Sequence, residues 1–433
     1  MATTISVSKQ VPVVGDYDVV VCGGGPSGFI AAIAAARMGA RTALIERYGF
    51  LGGMATAGLV APISEFNYNG ARIIGGIPWE FIERLTELGG AQVEYPLANV
   101  SFSPELYKLL AQRMLLEAGV TLYLHAYLSG CEVNGQKEIT HAVFESKSGT
   151  QAISGHYFID STGDGDLCAM AEVPMQPAGE TLQPASLCFC LGGVELPRVP
   201  EIHHSTQGVN YHIVPLQTIL RELAKTQEVP NFGGPWMCYM LTPDSVLVNM
   251  TRTKADMIDE RDQTRAECEL RESAFALIAL LKAHVPGFER IYLLSTAAQA
   301  GVRETRHILG AHVLTGAEYA AALHFSDAVS RGAHPIDIHS ARGSTQVCRF
   351  LEEAAYIPYR SIITDSFANL LVPGRCFSAD REASASARVQ ASMMGLGQAA
   401  GVVAAQCLKH GTRVQNADTN ALRETLLSLG ANI

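Results

Sequence analysis

Apolar residues in this chain gather into short continuous runs that end in glycine. Residues 17–22 (YDVVVC) lead straight into Gly23-Gly24-Gly25, as a strand buried on both faces does. Residues 27–38 are rich in Ala and Ile and read as a helix, Gly39 stops it, and residues 41–45 form a second buried strand. Residues 61–76 read as hairpin or loop and 77–88 as a helix. Ser103 caps and Pro104 opens a helix that runs to about residue 117. Residues 120–124, 127–133, 139–146 and 150–154 alternate like the strands of a meander. Residues 157–166 (YFIDSTGDGD) repeat the first theme, an apolar strand entering a turn of glycine and aspartate. Further on, the pattern predicts a long helix over 256–284, a helical stretch over 305–331 and a loop over 332–345. Residues 369–375 (NLLVPGR) are another strand ending in glycine, 386–409 a long helix, and 417–429 a short amphipathic one. Residues 1–15 read as a polar leader.

The first of these units carries the sharpest chemistry. Gly23, Gly25 and Gly28 make G-x-G-x-x-G between a strand and a helix. Their roles are a tight turn, backbone approach to a pyrophosphate, and close helix-on-strand packing. The helix start offers free N–H groups and a positive dipole end to the anion. Glu46, 18 positions after Gly28 at the end of the second strand, is placed to accept hydrogen bonds from an adenosine ribose. Residues 47–58 carry four glycines, which lets backbone pass close to a bulky ligand. Gly395, Gly397 and Gly401 sit in one helix at about 1 kcal/mol each relative to alanine. That points to close approach of a ligand, or plainly to helix–helix packing.

With 433 residues the chain has room for two domains. Its net charge is −10 and its Lys and Arg residues are scattered, which opposes a nucleic-acid or anionic-membrane partner. No signal-peptide core opens the chain and no run reaches the ~20 residues of a membrane span, so a cytoplasmic protein is expected. Ten cysteines at irregular distances, without C-x-x-C or a His cluster, read as reduced and structural, with no metal site.

The chain resembles the FAD-dependent oxidoreductase family of the glutathione-reductase-like flavoprotein superfamily over nearly its whole length. The likeness rests on YDVVVCGGGPSGFIAAIAAARMGARTALIERYGFLGGMATAG, FIDSTGDGDLCAMA, GVRETRHILGAHVLT, YIPYRSI and NLLVPGRCFSADREASASARVQASMMGLGQAAG. It implies an α/β fold, with a Rossmann-like FAD-binding domain (βαβ, parallel sheet and β-meander) and a mixed α+β substrate domain. The FAD-binding parts would be 1–60, 100–172 and 345–433, and the substrate parts 61–99 and 173–344. It also implies that Gly23, Gly25, Pro26, Ser27, Gly28, Glu46 and Arg47 hold the ADP half of FAD. Gly52, Gly53, Thr162, Gly163 and Asp164 would lie against pyrophosphate and flavin, unless Asp164 and Asp166 are only turn formers. Gly374, Arg375 and Asp380 would contact ribityl and phosphate, and a turn at Gly395, Gly397 and Gln398 would offer N–H groups to the flavin N1/O2 edge.

The reaction is less determined. No second G-x-G-x-x-G follows a strand and no C-x-x-x-x-C pair exists, which opposes an integral NAD(P)H domain and disulfide-reductase chemistry. What remains is hydride transfer between a small polar organic substrate and flavin N5. Arg306 is a candidate beside Arg303; Arg303 or Arg360 could clamp a carboxylate or polarise a carbonyl, and His339 or Tyr359 could move a proton. The plain alternatives are an ion-pair network for Arg303–Arg306 and a loop histidine for His339. The rival functions are a single-component monooxygenase, a tRNA-modifying flavoprotein and a non-catalytic FAD-binding protein. The oligomeric state is open and leaves room for a homo-oligomer.

Overall fold

The computed structural model describes residues 5, 8–177, 179, 182–199, 204–205, 208–212, 214–340 and 346–433. Its main sheet contains β1 (Val13–Cys22), β2 (Thr42–Ile45), β3 (Thr121–Tyr123), β4 (Tyr127–Val133), β5 (Ile139–Ser146) and β6 (Gly149–Asp160), in the order β3-β2-β1-β6-β5-β4. β3, β2, β1 and β6 run parallel, whereas β5 and β4 are antiparallel. Val19–Cys22 and all of β2 are buried, which is why both read as unbroken apolar runs. β6 serves two neighbours. Its first half pairs with β5, and Phe158 and Ile159 pair in parallel with Leu370–Leu371.

On one face of this sheet α1 (Pro26–Arg37) packs against the helix Gln390–His410. The contact is backbone-close: a Cβ added at Gly397 would stand 2.2 Å from Ser27 O, and one at Gly401 would stand 2.2 Å from Ala31 O. Gln390–His410 is long and apolar enough to cross a membrane, contrary to the expectation that no such run exists. Yet 83% of its apolar window is buried inside the fold, as in a core helix.

A second, six-stranded sheet is antiparallel at each of its pairings. Its order is His204–Ser205, Gly208–His212, Phe232–Tyr239, Val246–Thr251, Phe189–Gly192, Tyr292–Thr296. The helix Glu260–His284 buries Leu270, Ala274, Leu277 and Leu281, and its N-cap Asp259 accepts from Asp262 N.

Four sequence expectations change. Residues 13–15 of the expected leader belong to β1, and residues 1–4, 6 and 7 lie outside the described residues. β3 is a parallel neighbour of β2, not a meander strand. Residues 305–331 are not one helix. Ile308, Ala311 and Leu314 donate backbone bonds to Cys376, Ile363 and Ser378, and this tertiary pairing overrides local helical preference. Only Gly316–Ala320 is helical there, behind a Thr315/Glu318 capping box, and Ala328–Gly332 is a strand. The expected loop 332–345 contains the strand Ile336–His339, paired with Gln346–Arg349, while residues 341–345 lie outside the described residues.

Candidate active site

The turn after β1 is built without side chains. Gly23 has φ +97, and a Cβ there would lie 2.4 Å from Ser161 O. At Gly28 a Cβ would fall 1.9 Å from Gly23 O, so the third glycine lets α1 close on the strand. Gly25 differs: its φ is ordinary (−69) and a Cβ would meet nothing nearer than 3.9 Å. It faces a cavity of about 380 Å³ together with Pro26 and Ser27. No side chain caps α1, so its first N–H groups are left for a ligand.

Glu46 is buried beside this turn. Its two oxygens accept from Gly24 N (2.7 Å) and Tyr48 N (2.9 Å). Burial raises its pKa against those two N–H groups. Arg47 reaches across to Gln299 Oε1 at 2.7 Å, tying this loop to the 299–303 segment. Gly53, Thr162, Gly163, Asp164, Gly374 and Arg375 also line the cavity. The Asp164 carboxylate accepts from Thr305 Oγ1 (2.7 Å) and pairs with Arg375 Nη2, while Arg375 Nη1 holds Val302 O (2.9 Å). Asp166 is paired with Arg306 at 3.1 Å, and burial followed by the charges of Asp164 and Asp160 raises it to about 6. Gly52 sits behind, its N–H on Gly24 O.

Several expected site residues are elsewhere. Asp380 caps the helix Arg381–Ala387, accepting from Ala383 N, and also takes Gly316 N. Gly395 packs on Ser330 of the strand Ala328–Gly332 and Gly397 on α1, so these glycines serve packing between elements. Gln398 Oε1 accepts from Ile77 N at 2.8 Å. The helix start that does border the cavity lies one to two turns earlier, at Arg388, Val389 and Gln390. Tyr359 is buried with its hydroxyl on Val414 O (2.7 Å), and Arg360 pairs with Asp327 (3.0 Å) on a half-exposed surface. Neither is among the residues lining the cavity.

Arg303 and His339 do line it. Arg303 Nη1 donates to Pro184 O and Ser186 Oγ, each at 2.7 Å. His339 has Nε2 2.9 Å from Asp337 Oδ2 and Nδ1 3.5 Å from Arg252 Nη2. Burial and then the Arg303 charge lower its pKa to about 3, against the pull of Asp337. Both ring nitrogens are thus engaged, and Asp337 and Arg252 hold the imidazole in place. Arg252, Asp337, Arg388 and Gln390 escaped sequence reasoning. Asp337-x-His339 in a strand puts both on one face, and an arginine directly after the apolar strand Val246–Thr251 was the other available signal.

A model of the family described as "FAD dependent oxidoreductase" matches residues 18–426. The chain belongs to that family. This oxidoreductase shares 57% identity over 42 residues with dihydrolipoyl dehydrogenase of Trypanosoma brucei brucei, a stretch covering 10% of this chain and only 9% of that protein. It resembles the solved flavin-dependent brominase Bmp2 with a TM-score of 0.50 and 13% identity, over 94% of this chain and 83% of that one. The geranylgeranyl bacteriochlorophyll reductase-like protein of Thermoplasma acidophilum has a TM-score of 0.47 and 12% identity, over 96% and 84%. The brominase shares the α/β fold. The oxidoreductase's cofactor is FAD, and the cavity fits it. Gly25 offers a cradle that a side chain would fill. Ser161 Oγ, Arg375 Nε, Arg388 Nε and Gln390 Oε1 are buried polar atoms without a protein partner, and all four residues line the cavity.

Proposed function

We propose that this oxidoreductase transfers a hydride between a small polar organic substrate and N5 of FAD, without an integral NAD(P)H domain. The observation that carries the reading is the continuity of the cavity. One end is the glycine turn with Glu46, and the other is formed by Ser186, Asn249 and Arg303 of the second sheet region. A nucleotide end and a polar end in one cavity suit a cofactor and a substrate meeting between two units.

When bound, FAD supplies two-electron chemistry at its ring. Gly25, Pro26 and Ser27 would hold the pyrophosphate by backbone N–H groups, and Glu46 the ribose hydroxyls. Gln390 and the helix start beside it would meet the polar edge of the ring. Arg375, fixed by Asp164 and Val302 O, would orient the 163–164 turn. We place the enzyme in the glutathione-reductase-like superfamily. Parts 1–60, 100–172 and 345–433 would bind FAD, and 61–99 and 173–344 the substrate. Supporting this, the main sheet takes its strands from 13–160 and 370–371 and the second sheet from 189–296. A cytoplasmic enzyme of small molecules, with no nucleic-acid partner, fits the net charge of −10.

The test is anaerobic mixing of the purified protein with polyols, hydroxy acids, amines and enoates while the flavin absorbance is followed. Bleaching by a substrate alone, or reoxidation of reduced flavin by an enoate alone, is expected. Flavin that reacts only with NAD(P)H and oxygen present would turn the reading to a monooxygenase.

A further inference from the structure

The second-sheet end of the cavity holds more positive charge than its surroundings balance. Arg303 and Arg388 line it, and Arg252 stands behind. Arg252 and Arg303 share Ser186 Oγ (2.6 and 2.7 Å) and Asn249 Oδ1 (3.0 and 3.3 Å). Arg388 donates to Gln183 Oε1 (3.3 Å) and Asp337 O (3.4 Å), and its Nε is buried without a partner. These guanidinium groups are held mainly by neutral oxygens. The carboxylates acting on them are Asp337, bound to neutral His339, and Glu304, which takes Gln183 N (3.0 Å) and faces Arg381 (3.7 Å). Counting Arg381, and setting aside Arg375, which pairs with Asp164, and Glu65, which faces His334, four cations face two carboxylates. Burial lowers Arg303 to about 9 and Arg252 and Arg388 to about 10, with mutual repulsion adding to it. Arg252 and Arg303 are 3% and 8% exposed, and buried cations of this kind are stable only with a counter-charge.

We propose that this end of the cavity binds the carboxylate of an organic-acid substrate, seated on Arg303 and Arg388 with Arg252 supplying charge from behind. The forked guanidinium donors match a carboxylate's two oxygens, and the low dielectric strengthens the pairing. The inference rests on the reading of the cavity as an FAD-and-substrate site, and it narrows that substrate to an acid.

The experiment is calorimetric titration of the FAD-loaded protein with acetate, succinate and benzoate against acetamide, succinamide and benzamide. At least one acid is expected to bind about tenfold or more tighter than its amide. Arg303→Met should weaken that acid by about tenfold to a hundredfold with FAD content retained, and Arg388→Met should weaken it as well. Asp337→Asn, which removes a competing negative charge, should tighten it. Should the arginine variants fail to fold, the acid–amide comparison on the unaltered protein and on Asp337→Asn decides. Acids that bind no better than amides overturn the proposal, as do variants that bind them unchanged. A shifted flavin midpoint potential with unaltered acid affinity overturns it too, by assigning the charge to the reduced ring. A protein without FAD would overturn both readings, whereas an FAD-loaded protein indifferent to acids overturns this one alone.

Discussion

Gly25 and His339 are single positions where the geometry fixes what substitution does. A Cβ at Gly25 would point into open space with an ordinary φ, so Gly25→Val should fold normally. The valine would occupy cofactor space, and the purified protein should be colourless with the melting temperature of the FAD-free protein. Retained FAD would show that the pyrophosphate does not pass Gly25. His339 titrates at 6.5 when unfolded and at about 3 in the fold, so the unfolded chain binds the extra proton between those values. Stability is therefore full above pH 6.5 and falls as the pH drops toward 3. Asp337, held below its ordinary range by His339, adds to the loss at the acid end. His339→Gln removes the histidine titration, and its melting temperature should decline less steeply from pH 6.5 to 4. Equal slopes would contradict a buried neutral imidazole.

Between elements, the crossing of α1 and Gln390–His410 depends on missing side chains. Gly397→Ala would drive a methyl group into Ser27 O, 2.2 Å away, and overpacking of this kind costs about 1–3 kcal/mol. An unfolding free energy in urea lowered by that amount is expected, with FAD affinity falling because α1 carries Ser27 into the cavity. Unchanged stability with an altered flavin potential would instead return Gly397 to direct contact with the ring. The same element holds a lesson about helix starts. Gln390, not Gly397, borders the cavity, since Arg381–Ala387 and Gln390–His410 are separate helices and the break between them faces the site.

For the molecule as a whole, the cavity wall is drawn from both sheets and from the 301–303 and 385–393 segments. Arg47 to Gln299, and Arg252 to His339, join parts of the chain hundreds or tens of residues apart. A ligand touching all of these should couple to global unfolding. FAD at 100 times its dissociation constant should add about 2.7 kcal/mol. The melting temperature should accordingly rise with the logarithm of added FAD. A transition indifferent to FAD would place the cofactor outside the cooperative unit.

What the sequence determined is what neighbours along the chain can express. The strand–glycine–helix–strand–Glu46 unit is local, and so are the Ser103 cap and the 157–164 turn, because their apolar runs, cap and turn residues act within a few positions. Tertiary structure decided the rest. Gly397 and Gly401 signal close approach in sequence, yet only the crossing with α1 says that the partner is a helix. Residues 305–314 look helical until Cys376, Ile363 and Ser378 offer them backbone acceptors. Tyr359 and Arg360 sit in a recognisable motif but point to Val414 O and Asp327. Arg252, Arg303, Asp337, His339 and Arg388 become one electrostatic group only when folding brings them together from four separate stretches. Charge and hydrogen bonding act through space, and the order of residues does not encode which distant groups will share that space.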